Sequence, residues 1–137
     1  MAKVDSRWRG WSPHLLSLLR IIAAFLFMQH GAQKLFEFLA TRPGPERFSQ
    51  AWIGGVLEFF GGLLLLLGLF TRPVAFILSG MMAVAYFQVH APRGFWTIQS
   101  GGNGGELAAL YCFVFLYLSA AGGGPWSLDS VWRRGRT

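Results

Sequence analysis

Four apolar stretches separated by proline- and glycine-containing breaks leave this chain few folds to choose from. They cover about residues 15–39, 52–70, 74–90 and 106–121. A helix needs about 20 mostly apolar residues, with a range of about 17–25, to cross a bilayer. Three stretches meet that requirement. The fourth is short, so it is expected either to begin a turn earlier or to be buried by its neighbours. Ser12-Pro13 suits the start of the first helix. Thr71-Arg72-Pro73 reads as a tight turn making helices two and three antiparallel neighbours, and Ala91-Pro92 closes helix three. Gly122-Gly123-Gly124-Pro125 closes helix four. The first stretch is too long for the core of a signal peptide and no small-residue cleavage site follows it, so it reads as a retained helix. The expected fold is all-α, an integral membrane four-helix bundle forming a single domain over residues 1–137.

Composition supports this. Charged residues make up only 13% of the chain, against about 25% in typical soluble domains. The formal net charge of +6 is therefore read as a membrane-surface signal and not as a nucleic-acid footprint. Tails and the second turn carry Lys3, Arg7, Arg9, Arg72, Arg133, Arg134 and Arg136, against Arg42, Arg47 and Arg93 in the other two connections. That bias predicts both termini on the cytoplasmic side. Trp8, Trp11, Trp126 and Trp132 near the tails, with Trp52 and Trp96 opposite, suit two interfacial belts. The single cysteine, Cys112, excludes an internal disulfide and reads as a packing residue. The glycines of helix two (Gly54, Gly55, Gly61, Gly62, Gly68) and Gly80 of helix three read as close-packing positions.

Ionisable groups at membrane depth need partners or water. Arg20, His30, Lys34 and Glu37 fall within about a third of the first helix's circumference, at about 100° per residue, and Ala23 and Phe27 share that face. His30 and Lys34 lie in the outer half of helix one, Glu58 near the outer end of helix two, His90 at the end of helix three and Glu106 at the start of helix four. All four helices thus contribute to one level, with Gln33, Gln88 and Tyr86 nearby in sequence. Two readings stand side by side. Lys34 with Glu58 or Glu106 is a structural ion pair that orders the bundle; or His30, Lys34, Glu58, His90 and Glu106 line a polar pocket for a head group, a quinone ring or an anion. Two lone histidines without a Cys/His spacing motif are read as hydrogen-bonding partners, with no metal. Arg20 sits apart in the inner half, in a structural role: it either snorkels or pairs, with Asp129 or Asp5 as the partner.

The ordered set of motifs resembles the DoxX family. It comprises Leu19-Arg20, the run His30-Gly31-Ala32-Gln33-Lys34-Leu35-Phe36, then Glu58 followed by Gly61-Gly62 and the leucines up to Thr71-Arg72-Pro73. His90, Gly94-Phe95 and Gly104-Gly105-Glu106-Leu107 follow, and Gly122-Gly123-Gly124-Pro125-Trp126-Ser127-Leu128-Asp129 ends it. The resemblance implies a four-helix, multi-pass protein of the bacterial inner membrane. It implies membership or support of a membrane oxidoreductase system, in some relatives with quinone as acceptor. Some members carry paired cysteines for thiol redox work, and this chain has no such pair. A redox role here would need a bound quinone, an external cofactor or a membrane or peripheral protein partner. The alternatives are a non-catalytic accessory subunit of a larger membrane complex, and lipid or small-molecule binding without redox chemistry.

Overall fold

The computed structural model describes residues 2–93 and 105–136, with side chains from residue 8 onward. Gly94, Phe95, Trp96 and Gly104, together with the side chains of Lys3, Asp5 and Arg7, lie outside the described residues. The elements are α1 (Ala2–Phe36), α2 (Gln50–Leu67), α3 (Thr71–Arg93), α4 (Glu106–Ala121) and a short α5 (Leu128–Arg134). The first three are long and apolar enough to cross a membrane, while α4 has 16 residues, about 24 Å of helix against a hydrocarbon core of about 30 Å. The described residues form an all-helical bundle, with large apolar side chains such as Phe25, Phe76, Leu110 and Phe113 turned outward as a lipid-facing surface needs.

Local chemistry moves several expected boundaries. Helix α1 does not start at Ser12-Pro13; it runs from Ala2 through Pro13 and stops at Phe36, because Glu37 and Leu39 take left-handed backbone angles. Glu37 therefore leaves the polar stripe and caps the following loop, accepting from the Gly44 N–H (3.0 Å). Helix α2 begins at Gln50, since Ser49 is its N-cap and accepts from the Trp52 N–H. It ends at Leu67, with Gly68 in the left-handed C-cap position. The tight turn is thus Gly68–Phe70, and Thr71-Arg72-Pro73 forms the first turn of α3, where proline loses no helical bond. Helix α4 does not begin a turn earlier than Glu106: Gly105, at φ +97°, bounds it. Helix α5 was not anticipated, although Ser127 is an N-cap that accepts from the Ser130 N–H.

Packing is up-and-down. The principal helix pairs are α1 with α2 and α3 with α4, while α2 and α3 touch less despite their short connection. Helix α1 buries Ser17, Arg20, Ala23, Ala24, Phe27 and Gly31, a stripe three or four residues apart, and α4 buries Ala108, Tyr111, Phe115 and Leu118. Phe27 meets Phe115 edge-on (ring centroids 4.8 Å) and Tyr111 at 5.1 Å, closing the bundle centre with Leu65 and Leu78. Dispersion and small-residue contacts, not water expulsion, hold such interfaces in lipid. Gly55 and Gly62 of α2 face α1, and Gly61 faces Leu78 of α3; Gly54 and Gly80, by contrast, border open space and are not packing positions. Cys112 is partly buried against α3, where the Ser79 hydroxyl donates to its carbonyl (2.8 Å).

The end of the bundle that carries the α2–α3 turn is held by charged side chains on helix termini. Arg20 is fully buried and donates to the carbonyls of Leu65 (2.7 Å) and Leu66 (3.1 Å) in the last turn of α2, and to that of Trp126 (2.7 Å). Asp129 accepts from the N–H groups of Phe70 and Thr71 (both 2.8 Å) at the start of α3. Arg72 donates to the Ala120 and Ser119 carbonyls at the end of α4. Each charge has the sign its helix end favours. The expected Arg20–Asp129 ion pair is therefore corrected. Among the described residues the two do not pair directly; each satisfies backbone groups that one helix end leaves open.

Burial pushes the Asp129 carboxyl up, but the Thr71 and Phe70 hydrogen bonds and the Arg133 charge outweigh it, so its pKa lies below the ordinary value. A depressed carboxyl stabilises the fold above its unfolded pKa and loses that contribution as pH falls through its folded one. Asp129→Asn should accordingly cost about 1–2 kcal/mol at neutral pH, as loss of a charged cap does. Thermal unfolding of both proteins checks this. The gap should begin to narrow as pH falls through the ordinary carboxylate pKa of about 3.9, and should close only below the depressed folded value; a gap constant from neutral to acid pH would refute the cap.

Candidate functional site

At the opposite end of the bundle, α1, α2, α3 and α4 surround a cavity of about 260 Å³. The helix partners place its polar groups. Lys34, one turn beyond the buried Gly31 of α1, reaches across to α2, and its Nζ donates to Glu58 Oε1 (2.7 Å). Glu58 is only 7% exposed, and its second oxygen, Oε2, is buried without a hydrogen bond. His90 likewise buries Nδ1 unpartnered, and His30 lies edge-on to Tyr111 with ring centroids 6.4 Å apart. Phe27, Met82, Leu107 and Tyr111 form the apolar wall.

Two local departures from α-helical geometry set this arrangement. Residues Leu57–Gly61 of α2 and Tyr86–His90 of α3 each form a π-helical turn. Such a turn widens the helix and re-aims the side chains after it, and it recurs at functional sites. One contains Glu58 and the other ends on His90, so both wide turns fall on cavity residues. Gly105 admits the third helix: a methyl there would lie 2.6 Å from His90 Cβ and 2.9 Å from the Tyr86 ring.

Of the five residues assigned from sequence to the polar cluster, the structure brings four together: His30, Lys34, Glu58 and His90 line the cavity. Glu106 does not; it is exposed on the first turn of α4, and the inward position of that turn is taken by Ala108. The Lys34–Glu58 pair exists, with Glu58 and not Glu106 as the acid. Gln88 is outside the cavity, where its side-chain oxygen accepts from Gln50 of α2. Sequence reasoning missed Tyr111 and Gly31. Tyr111 carried one signal, an aromatic with a polar tip one helical turn and a half beyond Glu106. Gly31 was read only as part of a motif, although its neighbours on the stripe are the ionisable groups.

Chemically, the cavity offers cationic and imidazole donors, one carboxylate oxygen free to accept, and aromatic walls. That set suits a small, flat, polar-edged guest better than a metal ion. Among the described residues, no three His, Cys, Asp or Glu side chains converge on one point.

The fold and this site define a polytopic helical membrane protein with a polar cavity between its helices. The sequence profile of the DoxX family matches residues 15–91, and the chain belongs to the DoxX family. It is 44% identical over 126 residues to an uncharacterised protein of Haemophilus influenzae, covering 88% of this chain and 92% of that one. It is 29% identical over 136 residues to an uncharacterised membrane protein of Mycobacterium tuberculosis, covering 85% and 80% respectively. No solved structure matches it significantly.

Proposed function

We propose that this DoxX-family protein is a redox-linked subunit of the bacterial inner membrane, with both termini cytoplasmic, whose cavity holds the ring of a quinone. The observation that carries the reading is the buried Glu58 carboxylate, tied to Lys34 through one oxygen and unpartnered at the other, facing a cavity shared with the unpartnered His90 Nδ1. A buried, half-satisfied carboxylate is costly unless something fills its open valence. The volume of about 260 Å³ lies just under the usual range for ligand sites, about 300–1,000 Å³, which suits a single ring with its tail leaving between helices.

When bound, a quinone supplies a couple of two electrons and two protons. The chain's own residues would do the rest. Phe27 and Tyr111 would flank the ring, Lys34 and His30 would donate to a carbonyl oxygen, and Glu58 and His90 would exchange protons with the second oxygen. The single cysteine cannot form a thiol–disulfide pair within the chain, so the electrons would come from a partner-borne donor. The Lys34–Glu58 pair also favours a second reading, an accessory subunit in which the cluster only sets helix register.

Quinone extracted from protein purified in native lipid separates the two. We expect stoichiometric quinone in the wild type and a loss of at least about tenfold in Glu58→Gln, the equivalent of one hydrogen bond to a charged group. Glu58→Gln keeps the shape and a donor–acceptor link to Lys34, so folding should persist. Absence of quinone from the wild type, or equal quinone in both proteins, would leave the accessory reading.

A further inference from the structure

A second cavity, of about 440 Å³, opens at the other end of the bundle, between the start of α3, the end of α4 and α5. It is separated from Glu58 by about ten residues of α2, or about 15 Å. Three guanidinium groups line it, those of Arg72, Arg133 and Arg136, against one carboxylate, that of Asp129. That carboxylate is already occupied by the Phe70 and Thr71 N–H groups. Arg72 commits one terminal nitrogen to the end of α4, and Arg133 commits its Nε to the Asp129 carbonyl (3.3 Å). Arg136 lies over the Trp132 ring, 5.5 Å from its centroid. Among the described residues, none of the three forms an ion pair. Phe70, Pro73 and Trp132 supply an apolar wall beside the basic groups, and Thr71 with Gly122-Gly123 completes the lining.

We propose that this cavity binds the phosphate of an anionic phospholipid headgroup. The chemistry matches on each side. Guanidinium groups bind phosphate oxygens in paired, charge-assisted hydrogen bonds. Phe70 lies between the spans that end at Leu67 and begin at Thr71, and Trp132 packs beside it (ring centroids 6.2 Å), so both mark the end of the apolar spans, the level at which tryptophan anchors in a bilayer. Anionic lipid also attracts basic groups at the membrane surface, so the site is supplied where the protein sits. Asp129 keeps the helix terminus closed to the anion, leaving the arginines as the recognition element. The proposal is independent of the quinone reading, which concerns other residues at the other end.

The test is native mass spectrometry of the full chain in neutral detergent, titrated with phosphatidylglycerol, with phosphatidylcholine as the zwitterionic control and inorganic phosphate as the free anion. Phosphatidylglycerol should bind at least about tenfold more tightly than phosphatidylcholine, and the double variant Arg133→Gln/Arg136→Gln should erase that preference. Both side chains are exposed, so the variant should stay folded, its melting temperature lowered only slightly by loss of the Arg133 charge beside Asp129 and of the Arg136–Trp132 contact. Arg9→Gln, which removes one positive charge from an exposed position on α1 outside the cavity, should leave the preference intact, whereas its charge-matched counterpart inside the cavity, Arg133→Gln alone, should weaken it. Retention of the preference by the double variant, or an equal loss in Arg9→Gln, would overturn the site in favour of diffuse attraction. Inorganic phosphate binding as tightly as the lipid would overturn the lipid assignment.

Discussion

Arg20→Ala should destabilise the bundle more than any other single side-chain truncation outside the cavity, by about 4 kcal/mol. The guanidinium is fully buried and makes three hydrogen bonds to backbone carbonyls drawn from α2 and from the segment after α4. A hydrogen bond to a charged group contributes about 1.5–3 kcal/mol, and three sharing one group fall short of additive. Removing the side chain also strands the carbonyls at the end of α2 and leaves a cavity under Gly68, whose backbone approaches Arg20 so closely that a methyl would lie 2.2 Å from Nη1. Against a total stability of about 5–15 kcal/mol, that loss is severe. Thermal and denaturant unfolding of the purified protein measures it. Arg20→Lys keeps the charge but not the planar fork, and should recover only part of the loss. Arg20→Met fills the volume without donating; stability equal to the wild type in that variant would show that packing, and not capping, is the role of Arg20.

Sequence periodicity made much of this readable. Of the α1 stripe read from the helical repeat, Arg20, Ala23 and Phe27 are buried and His30 and Lys34 line the cavity, because a lipid-facing surface would not tolerate these charges together; Glu37 leaves the stripe, and Ser17, Ala24 and Gly31 face inward beside it. The same depth argument brought Glu58 and His90 to the level of Lys34. Their final positions also depend on the π-helical turns, which leave no mark in a hydrophobic pattern. Glu106 failed for a related reason. Membership of the right level says nothing about rotation around the helix, and α4 is turned so that Ala108, Tyr111 and Phe115 face inward instead.

Pairing was harder to read than placement. Arg20 and Asp129 carry opposite charges at one end of the bundle, so an ion pair was the simple expectation. Helix termini offer stronger claims on both, because each leaves backbone groups that nothing else can reach. Which group wins depends on where the segment 122–127 crosses α1. That crossing is set by Ser17, whose hydroxyl accepts from the Trp126 N–H (3.2 Å), and by Gly124, whose close approach leaves no room for a methyl beside Ser17. A composition rule cannot see such a contact. Two of the motifs meet there: Arg20 donates to the Trp126 carbonyl, so Leu19-Arg20 and Gly122 to Asp129, far apart in sequence, are the two halves of one clamp.

The cavity itself rests on a backbone contact, and Gly31→Ala should destroy it. A methyl at Gly31 would lie 2.4 Å from the Phe59 nitrogen and 2.7 Å from the Gly55 carbonyl oxygen, both backbone atoms of α2. Neither can swing aside as a side chain would, so α1 and α2 must separate. The contact lies between Lys34, one turn further along α1, and Glu58, which precedes Phe59 within the π-helical turn, so separation lengthens the 2.7 Å ion pair and opens the cavity wall. Overpacking of this kind costs about 1–3 kcal/mol, and the rigidity of backbone on both sides places Gly31→Ala at the upper end. Gly54→Ala is the matched control. Nothing lies within 4 Å of its added methyl, so relief of helical glycine should leave it neutral or more stable by about 0.5–1 kcal/mol. The melting temperature should fall in Gly31→Ala and hold or rise in Gly54→Ala. Quinone retention should fall in Gly31→Ala and hold in Gly54→Ala, since only the first disturbs the geometry of Lys34 and Glu58. Equal melting temperatures in the two would mean that α1 and α2 are not in backbone contact at Gly31, and the polar cavity would lose the frame that positions it.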